Sequence, residues 1–402
     1  MKKIGILLSF IVVIFGCQHA ITQKAQVKPL VYALNGTVLA ANKAKVSAGD
    51  ATLKPAFLKL LRDADSAMLF GPVSVMEKVN IPPSGDKHDY MSLAPYHWPD
   101  PAKADGLPYI RKDGQTNPEV KEYKDKEYLP VLCESVYTLS MAYYFSGEKK
   151  YAEKASKLIR VWFLDPETKM NPNLNFGQAI KGVVTGRGAG LIDTRHLVKV
   201  VDAIGLLKGA SAWSSQDQTG MENWFSAFLD WMQTSKNGLD EMDAKNNHGV
   251  WYDAQRLSFA LFTGQKELAN KIVDNVKGRL DYQMDNDGFF PAELARTISL
   301  HYSVFVVDPF FTIAQMATHL NIDLWKYKSP TGKSLEKGFN ALSPYLLQEK
   351  KWEGQQIKPF NFKDCIPVLA HGKAHYDCMQ CQEAMSKIAG KDFEKLRIHL
   401  FM

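Results

Sequence analysis

Two short segments of the chain gather side chains that could act together on an acidic substrate. The first is Asn-Asn-His at 246–248, and the second is ELARTISLHY at 293–302, which contains Arg296 and Tyr302. Amide, imidazole and guanidinium groups donate hydrogen bonds to carboxylates. The ordinary pKa of a tyrosine is about 10, and a nearby cation lowers it by favouring the phenolate. Arg296 is therefore the cation expected to make Tyr302 usable as a base.

This combination favours the β-elimination of a uronic acid polymer. The reaction removes the C5 proton of a uronate, which becomes acidic only when the adjoining carboxylate is neutralised. Asn247, His248 and Arg296 are predicted to supply that neutralisation in the transition state. In mannuronate and glucuronate the C5 hydrogen and the C4 oxygen share one face, so Tyr302 alone could take the proton and return it to the leaving oxygen. No metal and no organic cofactor are expected.

Two irregular segments carry groups suited to binding a sugar. HDYMSLAPYHWPDP at 88–101 contains aromatic rings that could stack on sugar rings, although they could equally pin the loop to the body of the protein. FGQAIKGVVTGRGAGLIDTRH at 176–196 has close glycines that let the backbone approach a partner, but no strand precedes it as in a phosphate-binding loop. The candidate substrate-binding residues are Tyr90, Tyr96, His97, Trp98, Gln178, Arg187, Trp251 and His301.

Helical periodicity dominates the rest of the chain and must position these segments. Apolar residues between Leu129 and Tyr143 form one stripe of an amphipathic helix, which ends at Ser146-Gly147 before a second helix. The arrangement recurs, since FSGEKKYAEKA at 145–155 is similar to FTGQKELANKI at 262–272. Repeated helical hairpins and scarce period-two alternation predict an all-α fold. Further helices are predicted at 52–63, 193–208, 215–234, 301–320, 334–348 and 381–398.

Composition and charge exclude several classes of protein. The 402 residues are 46% apolar and 23% charged, which is typical of a globular protein rather than a disordered one. A net charge of +6 is small for a nucleic-acid-binding protein but favourable toward a polyanion. No linker divides the chain, so residues 25–400 are predicted to form one domain.

The first residues resemble an export signal. Lys2 and Lys3 precede an apolar stretch from Ile4 to Phe15, which is followed by Gly16-Cys17. We expect residues 1–17 to be a lipoprotein-type signal peptide with Cys17 lipidated, and plain secretion is the alternative. The protein would then be periplasmic or anchored to the outer membrane, touching the membrane only through that lipid.

Four cysteines remain, at 133, 365, 378 and 381, and they allow three disulfide connectivities between which the sequence does not choose. His371, His375, Cys378 and Cys381 have spacings that a zinc site could use. An oxidised or merely buried pair is the simpler interpretation for an exported protein, so no metal site is expected.

Several phrases of the sequence together resemble the alginate lyase family of α/α toroid polysaccharide lyases, and in particular polysaccharide lyase family 38. They are DYMSLAPYHWPDP at 89–101, GLPYIRKDGQTNPE at 106–119, NFGQAIKG at 175–182, NNH at 246–248 and ELARTISLHY at 293–302. The resemblance implies an incomplete (α/α) toroid with long loops around a cleft. It also implies Tyr302 as base and acid, with Asn247, His248 and Arg296 as carboxylate neutralisers.

The resemblance does not fix the substrate, because mannuronate and glucuronate differ only at C2, away from the reacting atoms. We expect mannuronate-rich alginate first, glucuronan second and guluronate blocks least. Two other functions stay open: a glycan-binding lipoprotein without catalysis, and a glycoside hydrolase. A hydrolase would take its carboxyl pair from Asp193, Asp253, Asp287 and Glu293, each of which has a simpler role as a cap, an ion-pair partner or a turn residue. Endo or exo action and the oligomeric state are not determined.

Overall fold

A computed structural model describes residues 28–402, and the predicted signal peptide at 1–17 lies outside this range. Helices account for most of the described chain, and the four strands are short. The helices are α1 (Gly36–Ser47), α2 (Lys54–Ala67), α3 (Lys124–Ser146), α4 (Lys149–Ile159), α5 (Leu197–Leu207), α6 (Ser215–Thr234), α7 (Lys236–Met242), α8 (Asn247–Phe262), α9 (Lys266–Gln283), α10 (Pro291–Leu294), α11 (Ser299–Ala317), α12 (Leu335–Leu346), α13 (Ile366–His375) and α14 (Met379–Ala389). The strands are β1 (Met91–Leu93), β2 (His97–Trp98), β3 (Ile110–Arg111) and β4 (Phe176–Ala179).

The predicted helical hairpins are present. Helix α3 packs on α4, and α8 packs on α9. The first hairpin turns at Gly147, whose φ of 75° is a left-handed conformation that glycine adopts without a steric penalty. Gly264 has a φ of 74° at the equivalent turn between α8 and α9. The sequence similarity between the two turns therefore reflects one hairpin design used twice.

The core is built around α3, α5, α8 and α11, which contact one another in sequence: α3 with α5, α5 with α8, and α8 with α11. Helix α8 is buried from Asn247 to Ala260 apart from His248. A helix with little exposed surface is held on all sides by its neighbours. The first turns of α8 and α11 are therefore rigid supports for the side chains that they carry.

One short strand pair joins the two irregular segments, and a second pair joins the first segment to residues 110–111. Strand β1 pairs in parallel with β4, and β2 pairs antiparallel with β3. A Cβ on Gly190 would lie 2.6 Å from the carbonyl carbon of Gly177, so only glycine permits this approach. The glycines of 176–196 thus bring the backbone close to the chain itself, which packs the loop rather than exposing it.

The cysteine-rich tail forms a disulfide between Cys378 and Cys381, and Cys133 and Cys365 are buried free thiols. His375 stacks on Trp325 with ring centroids 3.7 Å apart. Within residues 28–402 no three His, Cys, Asp or Glu side chains group as metal ligands would. In the same range no helix has the length and apolarity needed to span a membrane.

Candidate active site

A cleft of about 520 Å³ lies where the first turns of α8 and α11 meet the irregular segments. All four predicted catalytic residues line it, together with five of the predicted substrate-binding residues. These nine are Asn247, His248, Arg296, Tyr302, Tyr96, His97, Gln178, Arg187 and His301. The structure therefore brings together side chains that are up to 206 positions apart in sequence.

Tyr302 lies in the first turn of α11 and is 6% exposed. Its hydroxyl donates a hydrogen bond to the hydroxyl of Tyr96 at 2.8 Å. The guanidinium of Arg296 lies over the Tyr302 ring, 3.6 Å from its centroid. Burial raises the pKa of Tyr302 well above its ordinary value, and the neighbouring Tyr96 raises it further. Arg296 acts in the predicted direction by lowering this pKa, but burial outweighs it.

Arg296 already has a carboxylate partner. Its Nε and Nη2 both bind Asp113, with Nη2 at 2.6 Å, and the backbone N–H of Thr297 donates to the same carboxylate. Burial would raise the pKa of Asp113, but the hydrogen bonds from Arg296 and Thr297 hold it well below its usual range. Arg111 also pairs with Asp113 at 2.7 Å. The Arg296 charge is thus shared before any substrate enters.

The two asparagines at the start of α8 have different functions. Asn246 is the N-cap and accepts the backbone N–H of His248 at 3.1 Å. Asn247 is fully buried, and its backbone N–H and side-chain Nδ2 donate to the two oxygens of Glu293 at 2.5 and 2.8 Å. This pair fastens the start of α8 to the segment that carries Arg296. One Nδ2 proton of Asn247 remains for another acceptor.

His248 is the one partly exposed residue on this otherwise buried turn of α8. Its Nδ1 lies 2.7 Å from Oε1 of Glu241, which is only 3% exposed. A carboxylate at Nδ1 fixes the proton on that nitrogen and leaves Nε2 for another partner. Because His248 lines the cleft, the imidazole is held in one orientation there.

The floor of the cleft contains a buried polar network centred on Asp193. Lys126 pairs with it, and the Oγ of Ser92 and the Nε2 of Gln178 donate to it at 2.7 and 3.1 Å. Burial would raise the pKa of Asp193, but the charge of Lys126 and these donors lower it below its ordinary value. Asp193 is therefore a structural anion in this cleft.

Three of the predicted sugar contacts do not line the cleft. Tyr90 is fully buried, and its hydroxyl donates to Asp193 at 3.2 Å, so its prediction as a sugar-stacking residue is corrected to a supporting one. The indole N–H of Trp98 donates to the backbone of Gln115, which pins the loop as the alternative interpretation proposed. Trp251 is 8% exposed and packs against Phe305 behind the cleft wall.

Sequence reasoning missed the acidic partners of the site. Neither Glu241 nor Asp113 was singled out, although Asp113 lies in one of the phrases that carried the resemblance. Glu241 lies on α7, seven residues before His248, and no periodicity in the sequence indicates that it would contact the imidazole. The cleft cations Arg111, Lys126 and Arg195 were not predicted either.

The comparisons with a family model and with solved structures agree with one another. The family model described as alginate lyase matches residues 74–352. A crystal structure of an alginate lyase from Bacteroides ovatus is 39% identical, with a TM-score of 0.87, covering 93% of this chain and 99% of that one. Alginate lyase A1-III from Sphingomonas species A1 is 16% identical, with a TM-score of 0.53, covering 90% of this chain and 93% of that one.

A histidine-to-alanine variant of alginate lyase A1-III, complexed with tetrasaccharide, is 18% identical with a TM-score of 0.57, covering 90% of this chain and 92% of that one. At this level of identity the similarity shows the fold alone, which is the predicted α/α toroid. No curated protein matches the sequence.

Proposed function

Because the chain belongs to the alginate lyase family and is a polysaccharide lyase, we propose that it cleaves mannuronate-rich alginate by β-elimination. We further propose Tyr302 as base and acid, and export as a lipoprotein of the family 38 branch. The observation that carries the catalytic assignment is the common cleft of Tyr302, Asn247, His248 and Arg296. The match to a family of lyases argues against the hydrolase and the non-catalytic binder.

His248 is the main neutraliser of the substrate carboxylate in this mechanism. With Glu241 at Nδ1 the orientation of the ring is fixed, and a proton on Nε2 can be donated to an anion in the cleft. The remaining Nδ2 proton of Asn247 can reach the same carboxylate from the first turn of α8. These donors stabilise the enolate-like charge that develops when the C5 proton leaves.

Tyr302 takes the C5 proton as a phenolate, after its own proton has been released to the solvent. Tyr96 accepts the hydrogen bond of the protonated Tyr302 hydroxyl at 2.8 Å and so holds that hydroxyl in place before the reaction. Arg296 lies over the ring and adds a positive charge that stabilises the same phenolate. Once protonated again, Tyr302 returns the proton to the C4 oxygen on the same face of the sugar.

The proposed substrate class rests on one tyrosine acting as both base and acid. Mannuronate suits one Tyr that acts on one face, and glucuronan is the alternative because it has the same C5 and C4 arrangement. Guluronate inverts C5 and would require a base and an acid on opposite faces. The tetrasaccharide complexes of alginate lyase A1-III support an anionic oligosaccharide as the ligand of such a cleft.

The test is the product spectrum of the purified protein on polymannuronate, glucuronan and polyguluronate. We expect unsaturated uronate ends, seen by ultraviolet absorbance, fastest on polymannuronate. Tyr302→Phe should lower kcat by at least about 100-fold while oligosaccharide binding persists. Tyr143→Phe removes a hydroxyl from a different cavity and should leave kcat unchanged. Full activity in Tyr302→Phe would remove Tyr302 from the mechanism, and saturated products would contradict elimination.

A further inference from the structure

The basic residues of the cleft differ in whether this chain already neutralises them. Arg111 and Arg296 share Asp113, Lys126 pairs with Asp193, and His248 pairs with Glu241. In the described part of the chain, two further cleft cations have no carboxylate within ion-pair distance: Arg187 and Arg195. A cation held in a cleft without a counter-ion is costly, so such a group invites an external anion.

Arg187 is the less compensated of the two. Its Nη2 donates to Oε1 of Gln178 at 2.9 Å, and its Nε is buried with no hydrogen-bond partner. Burial lowers the pKa of Arg187, and the like charge of Arg111 lowers it further. Glu241 and Asp193 act in the opposite direction, but from a distance.

His97 lies beside Arg187 and has the same shortage of partners. Its Nδ1 is buried without a hydrogen bond. Burial lowers the pKa of His97, and the charges of Arg187 and Arg111 lower it further. Of the neighbouring basic groups Arg187, Arg111 and His97, Arg187 is the cation that has no carboxylate within ion-pair distance among the described residues.

Arg195 has other compensation. Its guanidinium lies 5.5 Å from the centroid of the Phe305 ring, and its Nη1 donates to the carbonyl of Ile192 at 2.9 Å. The nearby buried carboxyls of Asp193 and Asp308 both favour its charged form. Two carboxyl groups act on each arginine, but of the two only Arg187 has a buried Nε without a hydrogen-bond partner and the like charge of Arg111 nearby, so Arg187 is the better candidate for an external anion.

The backbone around Gln178 is arranged to hold Arg187. Gln178 is 4% exposed and has a φ of 50°, a conformation that L-residues rarely adopt. Its Nε2 donates to Asp193, which turns its Oε1 toward Arg187, and its backbone N–H donates to Ser92 Oγ at 2.8 Å. Strain of this kind is retained where it orients a functional group.

We infer that Arg187 binds the carboxylate of a second uronate residue of the polymer, apart from the residue that loses its C5 proton. This inference rests on the proposed function and deepens it, because it requires carboxylates on more than one sugar of the substrate. The cleft volume of about 520 Å³ lies in the range of sites that enclose ligands larger than one sugar ring. Gln178 is then a positioning residue that acts through Arg187.

The test compares Arg187→Gln with Arg111→Gln, which removes the same charge from the same cleft but from a cation that Asp113 neutralises. On polymannuronate, Arg187→Gln should raise KM by roughly 10- to 100-fold with a smaller change in kcat, the range for a lost hydrogen bond to a charged group. Arg111→Gln should raise KM less than about threefold. Arg187→Lys keeps the charge and should recover part of the loss.

A partly carboxyl-reduced polymannuronate supplies the complementary probe. The wild type should discriminate strongly between it and the native polymer, and Arg187→Gln should lose most of that discrimination. Equal effects of Arg187→Gln and Arg111→Gln on KM would mean that Arg187 acts only through the overall positive charge of the cleft and not as a specific carboxylate site. An unchanged KM in Arg187→Gln would overturn the inference outright.

Gln178→Gly separates positioning from folding. Glycine accepts the φ of 50° at this position, so the substitution relieves strain while removing the amide that orients Arg187. We expect KM to rise as in Gln178→Ala, whereas Tm should fall less than in Gln178→Ala. A KM that followed Tm in both variants would assign Gln178 a purely structural role.

Binding measurements keep this inference distinct from the proposed function. If the wild type forms no unsaturated product, the elimination is refuted, and titration calorimetry with mannuronate tetrasaccharide still tests Arg187. Binding by the wild type, weakened at least about tenfold in Arg187→Gln, would support the carboxylate site. Equal binding by both proteins, or no binding by the wild type, would overturn it.

Discussion

Tyr302 has its hydroxyl in surroundings that oppose ionisation. Burial and the Tyr96 hydroxyl both raise its pKa, and Arg296 offsets this only in part because Asp113 shares the Arg296 charge. At neutral pH the tyrosine is therefore protonated in the free protein. The base form of the proposed mechanism is scarce until substrate binds or the pH rises.

This raised pKa predicts the pH dependence of catalysis. Since the phenolate fraction grows about tenfold per pH unit below the pKa, kcat/KM on polymannuronate should increase from about pH 7 to about pH 9. Tyr96→Phe removes a neighbour that raises the pKa of Tyr302, so the increase should begin at lower pH. Profiles of kcat/KM for both proteins check this. A profile that falls throughout this range in both would contradict Tyr302 as the base.

The contact between His248 and Glu241 predicts that a substitution at Glu241 lowers the rate of catalysis. Glu241→Gln keeps a hydrogen-bond acceptor at Nδ1 but replaces a charged acceptor with a neutral one, which weakens the hydrogen bond that orients the ring. We expect kcat to fall by about 10- to 100-fold with a smaller change in KM, as for lost transition-state donors. Steady-state kinetics measure this, with the exposed Glu127→Gln as the control. Equal kcat values for the two variants would exclude Glu241 from a positioning role.

Among the elements, the loop from Gly106 to Glu119 is fastened to the segment before α11. Asp113 accepts from Arg296 and Thr297, and the Nζ of Lys358 donates to the carbonyl of Gly114 at 2.6 Å. The loop therefore fixes Arg296, and through it the ring of Tyr302. A loop far from α11 in sequence becomes part of the support for its first turn.

Removing this anchor should cost both stability and activity. Asp113→Ala leaves the half-buried Arg296 without its carboxylate, so the free energy of unfolding should fall by about 1–3 kcal/mol and kcat/KM should decrease. Because the folded pKa of Asp113 is depressed, its stabilising contribution is present above its unfolded pKa near 4 and is lost as the pH falls toward the folded value.

Urea unfolding at neutral pH and in acid measures this contribution, and kinetics on polymannuronate measure the activity. Asp105→Ala, in the same loop, removes an exposed carboxylate that binds only the local N–H of Leu107 and is the control. The two variants should converge in stability as the pH is lowered. A constant difference across the range would rule out a charge-based anchor.

For the whole molecule, one hydrophobic core connects α3, α5, α8 and α11 with the tail helices. Leu39 of α1 and Leu400 near the end of the chain belong to the same cluster of buried residues. Asn42 of α1 donates to the backbone carbonyl of Leu400 at 3.2 Å, which ties the two ends of the described chain together. This continuity is the reason to expect one folding unit rather than two.

The predicted single domain over residues 25–400 is open to a direct test. Scanning calorimetry should show one cooperative transition, with a calorimetric enthalpy close to the van't Hoff value. A saturating mannuronate oligosaccharide should move the whole transition to higher temperature, because only the folded state binds it. Two separate transitions, or a shift of only part of the heat absorption, would refute the single domain.

The sequence determined most of the helices, although not α1, α7, α10 or α13, together with the repeated hairpin and the residue types of the site. Periodicity, the cap at Asn246 and the turn at Gly147 are local properties, because they depend on side chains three to four positions apart and on one backbone conformation. The motifs at 246–248 and 293–302 likewise indicated which side chains should meet, and their resemblance to alginate lyases indicated the family.

Only the tertiary structure decided which charges neutralise one another. Asp113 forms an ion pair with Arg296, 183 positions away in the sequence. Arg187 has no carboxylate within ion-pair distance among the described residues, and Tyr90 is buried with its hydroxyl bonded to Asp193. These outcomes depend on how long loops pack against the helices, which no local spacing encodes. Since a cation without an ion-pair partner in the fold is the one most available to an external anion, the tertiary structure decides where the cleft can bind further carboxylates.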